Sequence, residues 1–130
     1  MFHLNIYIAD MEAGARCAFR VHFPHAVLHI CYFHFGQALD RKLGNYGLKT
    51  VYEDVPEFRK AIHRLKSLAF LKPAEVLTAY FNFRSIFKAL IDQLLTQEFV
   101  SNAQRDQAIA FMDRYFQPTY VAKQVYFNIF

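Results

Sequence analysis

Two prolines, Pro56 and Pro73, each open a run in which apolar residues return every third or fourth position. Proline is tolerated in the first turn of a helix, where its missing N–H would have no intrahelical partner anyway. "PEFRKAIHRLKSLAFL" places Phe58, Ile62, Leu65 and Leu68/Ala69 on one face. Arg59, Lys60, His63, Arg64 and Ser67 fall largely on the other, so this helix is amphipathic and basic. "PAEVLTAYFNFRSIFKALIDQLLTQEF" carries Val76, Tyr80, Phe83, Phe87, Leu90, Ile91 and Leu94 at helical spacing, with a bend or break near Asn82 left open. These stripes read as core. In a chain of 130 residues that is 55% apolar, with 15 Phe and 8 Tyr and no Trp, they predict one domain filled by large rings.

The N-terminal third has a different rhythm. "HLNIYIAD" alternates Leu4, Ile6 and Ile8 against His3, Asn5 and Tyr7, which predicts a strand ending at Asp10. "MEAGARCAFRVHF" is helical in spacing and is broken at Pro24. "AVLHIC", Ala26 to Cys31, reads as a second, buried strand. Strand, helix and strand make a βαβ unit, whose strands run parallel through a right-handed crossover. Active groups in such sheets sit at the carboxyl ends of the strands, where Asp10 and Cys31 fall.

From Tyr32 the pattern is helical again, with Phe35, Ala38, Leu39 and Leu43 in one stripe and Gly44 or Gly47 available to end it. "TVYEDVPEF" reads as an extended connection, with Asp54 and Glu57 at capping-box spacing. Ser101 or Asn102 caps a last helix through Ala108, Ile109, Met112, Tyr115 and Phe116, and Pro118 stops it. "TYVAKQVYFNIF" closes the chain with β-prone residues.

Net charge is +4, unevenly placed. Between Arg41 and Lys72 eight Lys/Arg face three acids, which favours polyanions, nucleic acid first; a solvated helix face is the plainer alternative. Two cysteines are too few for a disulfide scaffold, and "MFHLNIYIAD" lacks a basic n-region, which predicts an intracellular, reducing setting. No apolar run reaches the roughly 20 residues of a membrane span.

Three readings of the chemistry-bearing residues compete. Asp10, between a strand and a helix, can hold Mg²⁺, but one carboxylate is not a two-metal site, and "ADME" reads first as a helix start. Cys31 and His34 have zinc-ligand spacing, yet Cys17, His22, His25 and His29 supply no second matching pair, so zinc is not expected. As a Cys–His nucleophile the pair lacks an oxyanion hole and an orienting third group.

The order of these pieces carries more than any one of them. "ADMEAGARCAFRVHFPHAVLHICYFHFGQALDRKLGNYGLKTVY" resembles the MULE (Mutator-like element) transposase domain, with its "D-x-E-x-A", "F-P-x-A" and "C-x-F-H-F/L-x-Q-A/S-L-x-R-K" patterns. Asp10, Glu12, Phe23-Pro24, Ala26, Cys31, Phe33-His34-Phe35, Gln37-Ala38-Leu39 and Arg41-Lys42 carry the match. "FRKAIHRLKSLAFLKPAEV" is similar to the helical segment of that family.

The resemblance implies an α/β fragment: the βαβ unit of an RNase H-like core over residues 1–50 and a mainly helical insertion over 51–118, mostly α overall, then a divergent tail over 119–130. It implies cut-and-paste DNA transposition in the parent family, in a nuclear setting, with Mg²⁺ or Mn²⁺ held by three acids. Asp10 matches the second acid; the first is expected upstream of this chain, and the third, in an "N-N-x-x-E-x-x-H" setting, has no match, Glu98 lacking the context. The expectation is a catalytically incomplete fragment that does not hold the ion stably alone. The alternative is a non-enzymatic DNA-binding or protein-interaction module derived from a transposon. Cys31 and His34 become a family signature near the site, and Arg41, Lys42, Arg59, Lys60 and Arg64 the candidate DNA contacts. A short sheet would leave an unpaired edge open to self-association.

Overall fold

The structure, a computed structural model, describes residues 6–9, 27–30 and 32–122. Two four-residue strands, β1 (Ile6–Ala9) and β2 (Val27–Ile30), pair in parallel, with Ile6 opposite Val27 and Ala9 opposite Ile30. Helices then follow one another: α1 (Tyr32–Asn45), α2 (Lys49–Asp54), α3 (Pro56–Ser67), a 3₁₀ turn (Leu68–Phe70), α4 (Pro73–Thr96) and α5 (Asn102–Ala110). The last continues without a break into a π-helical segment, Phe111–Val121.

This corrects the α/β class expected from the sequence. Residues 32–122 are 87% helical, so the body of the molecule is an all-helical fold, not an RNase H-like βαβ unit. The physical reason is layer size. Period-two patterning dictates local strand geometry, but a sheet becomes an architectural layer only with three or more strands or a helix packed on it. The core here is made by helices: Phe35, Leu39 and Leu43 from α1, Phe58, Ile62 and Leu65 from α3, Val76, Tyr80, Phe87 and Ile91 from α4. Phe111, Met112, Phe116 and Tyr120 of the π segment close it. The helix expected between the two strands lies outside the described residues.

Three local readings also change. "TVYEDV" is not extended: Lys49–Asp54 is helical, although its β-branched and aromatic residues favour strand. Burial of Val51 and a C-terminal cap from Arg59 outweigh that propensity. The capping box of Asp54 with Glu57 does not form, because Val55 is the N-cap residue of α3 and no side chain caps it. Pro118 does not stop the last helix. Residues 111/112, 116 and 120/121 are buried at a spacing of four to five, which a wider i→i+5 turn puts on one face. The Ala122 N–H reaches the Gln117 carbonyl at 2.9 Å in that register.

Other ends follow sequence chemistry. Ser101 Oγ accepts from the Gln104 N–H at 3.1 Å while Gln104 Oε1 accepts from the Ser101 N–H at 2.8 Å, a complete capping box. α1 ends in a Schellman turn with Gly47 at φ 73°, its Leu48 N–H bonded to the Leu43 carbonyl at 2.8 Å. α4 ends in the same turn with Glu98 at φ 63°, and the Phe99 N–H reaches the Leu94 carbonyl at 2.9 Å. α4 is continuous past Asn82.

Candidate nucleic-acid interface

α3 is fixed on three sides before any ligand is considered. Lys66 Nζ bonds Asp40 Oδ1 of α1 at 2.9 Å. Tyr52 Oη lies 3.0 Å from His63 Nε2, linking α2 to α3. Phe58 packs on Phe87 of α4 with ring centroids 5.9 Å apart. These contacts decide which cations of the basic run are left for an outside partner.

The five candidate contacts divide. Arg59 is already engaged: its Nη1 donates to the carbonyls of Tyr52 at 3.2 Å and Glu53 at 2.9 Å, where a cation offsets the negative end of α2. Lys42 is half-buried, with Nζ 5.2 Å from the centre of the Tyr115 ring, a cation–π contact worth about 0.5–1 kcal/mol. Arg41, Lys60 and Arg64 are exposed, and none forms an ion pair among the described residues.

Two depressions lie beside these cations. Arg41 lines a pocket of about 450 Å³ between α1 and α2, with Lys49 and Tyr52 and the opposing carboxylates of Asp40 and Glu53. An anion entering there meets both signs of charge. Lys60 and Arg64 border a second, about 220 Å³ in volume, between α3 and α4. Its α3 wall is Glu57, Lys60, Ala61 and Arg64; its α4 wall is Phe83, Ile86, Phe87 and Leu90. Sequence spacing puts Phe83 and Leu90 in the core. In the structure both are half-buried, and Ile86 between them is 62% exposed. The signal for this lay in α4 itself: Leu77, Phe81 and Ile86 are apolar positions beyond the buried stripe, too many for one face.

Asp10 and Cys31 lie outside the described residues. His34 is exposed on the first turn of α1, its ring centre 5.9 Å from that of Phe33. Among the described residues no three His, Cys, Asp or Glu side chains converge. No described helix is long and apolar enough to cross a membrane.

On the far side of α4 the polar groups are consumed by packing. Arg84 makes a two-pronged pair with Asp113, Nε to Oδ1 and Nη2 to Oδ2, both at 2.8 Å, which holds the Asp113 carboxyl below its ordinary value. Tyr80 donates to the Met112 carbonyl at 3.2 Å, and burial pushes its hydroxyl up to about 12, with Asp113 adding to the rise. Tyr115 and Tyr120 share a hydrogen bond at 2.9 Å and are both raised, chiefly by burial. The Tyr80 and Arg84 bonds lock the π segment to α4. No protein-family model, curated protein or solved structure matches the chain.

Proposed function

We propose that this chain is a non-enzymatic DNA-binding module related to the MULE transposases, a fragment of the cut-and-paste type of enzyme that binds the DNA backbone without cleaving it. The observation that supports this reading most is the set of exposed cations on α1 and α3 that form no ion pair among the described residues: Arg41, Lys60 and Arg64. Such side chains suit phosphate contacts, which position a protein on a duplex without reading its sequence. Lys42 and Arg59 are left out of that set because Tyr115 and the α2 carbonyls engage them. The motif run from Asp10 to Lys42 supplies the link to the family.

Binding through three phosphates releases counterions, so the logarithm of affinity should fall with the logarithm of salt at a slope of about −2.7. That is a loss of roughly 40-fold between 50 and 200 mM salt. Fluorescence anisotropy with a labelled duplex measures it. The combined change Arg41→Glu, Lys60→Glu and Arg64→Glu should abolish binding. Absence of binding at low salt removes the proposal. Incubating supercoiled plasmid with Mg²⁺ or Mn²⁺ tests the other half: no nicking is expected, and nicking that disappears in Asp10→Ala would make the chain an active transposase instead.

A further inference from the structure

The groove between α3 and α4 has a geometry that phosphate binding does not explain. Its α3 wall falls at positions i, i+3, i+4 and i+7 from Glu57 to Arg64. Its α4 wall has the same spacing from Phe83 to Leu90. Each set is therefore one helical stripe, and the two stripes run beside each other. Ala61 and Phe87 are buried and form the floor. Phe83 and Leu90 are half-buried, while Ile86 stands at 62% exposure on the apolar rim. A volume of about 220 Å³ is below the ~300–1,000 Å³ usual for small-molecule pockets. A trough this shallow between two helices suits the side-chain ridge of a third.

Charge selects the kind of third helix. The rim opposite Ile86 carries Lys60 and Arg64 one turn apart, both exposed and neither in an ion pair among the described residues. Glu57 stands at one end, against the helix N-terminus, where a carboxylate is favoured. The complement is a helix apolar along one face and acidic along the flank that meets α3.

We propose that the α3–α4 groove is a docking site for an amphipathic helix with an acidic flank on a partner protein. This does not rest on DNA binding. The two do share Lys60 and Arg64, so an acidic helix and DNA should exclude each other.

The test uses the full chain and a synthetic, fluorescein-labelled helical peptide with Leu at i, i+3, i+4 and i+7 and Glu along one flank. A second peptide carries Lys in place of the flanking Glu. The wild-type chain should bind the Glu peptide at least tenfold more tightly than the Lys peptide. Ile86→Gln should weaken the Glu peptide about tenfold and leave DNA affinity unchanged. Lys60→Glu with Arg64→Glu should reverse the peptide preference. Arg41→Glu should weaken DNA alone, which separates failure of this proposal from failure of the DNA reading. Circular dichroism melts confirm that each variant is folded. Equal affinity for the two peptides, or an unchanged preference in the double reversal, overturns the proposal. So does a wild-type dimer that dissociates in Ile86→Gln, since the occupant would then be a second copy of this chain.

Discussion

The two sides of α4 both carry aromatic rings and end in opposite states. On one, Tyr80 stacks on Phe116 of the π segment with centroids 5.7 Å apart and planes at 15°, and Arg84 clasps Asp113. On the other, Phe83, Ile86 and Leu90 form an open wall. Each side carries an aromatic ring, Tyr80 on one and Phe83 on the other. What differs is a covering element, which the π segment supplies on one side only among the described residues. An apolar stripe therefore states that a face needs cover, and only the fold states whether the same chain provides it.

The largest effect should come from breaking the covered side. Phe116 is fully buried, and Phe116→Ala should cost about 3–5 kcal/mol in urea denaturation. Ile86→Ala on the open side should cost under about 0.5 kcal/mol. Equal costs would mean that the groove is filled in the free chain and the contrast is false.

Next is Tyr80→Phe, which removes the bond to the Met112 carbonyl and should cost about 1 kcal/mol. Because the folded state raises the Tyr80 hydroxyl from 10.0 to about 12, its contribution is complete below pH 10 and is lost as pH rises toward 12. Thermal melts across that range should fall in the wild type and fall less steeply in Tyr80→Phe. Tyr115 and Tyr120 keep part of the slope, since burial raises them too.

Arg84→Ala comes third, at about 1 kcal/mol or less, because the pair is about one-third exposed and water screens it. Here the sign is opposite. The folded state lowers the Asp113 carboxyl, so the stabilisation is full above its ordinary value of 3.8 and disappears as pH falls through the folded value. Acid titration followed by circular dichroism should show the wild type losing its advantage over Arg84→Ala below about pH 4. Last comes Glu98→Gly, a gain of about 0.5–1 kcal/mol from relieving a left-handed backbone position. It touches neither side of α4 and so calibrates the other three.

Much of the helical body was legible. Pro56 and Pro73 open α3 and α4 where the sequence places them, and the Ser101 cap forms. The α/β class was not legible, because alternation in short segments reports strand geometry and carries no information about how much of the chain joins a sheet. α2 was missed because the groups that favour it, a buried contact for Val51 and a guanidinium from the next helix, are tertiary. At the interface, helical phase marks Lys60 and Arg64 as outward-facing. It could not show that Arg59 is bound to backbone carbonyls or that Lys42 rests on Tyr115, because neither partner is a neighbour on its own helix.

The π segment has one consequence for how the chain reaches its native state. Tyr120, near its end, meets Phe35 of α1 edge-on at 5.0 Å, joining the two extremes of the helical body. Helices α1 to α4 can form from local contacts, but this closure cannot occur until nearly the whole body has left the ribosome. Until then Phe35 and the Tyr80 side of α4 remain without their final cover. Long-range closure slows folding more than it weakens the folded state. The period before the π segment docks is accordingly when a nascent chain of this sequence is most exposed to aggregation and most dependent on chaperones.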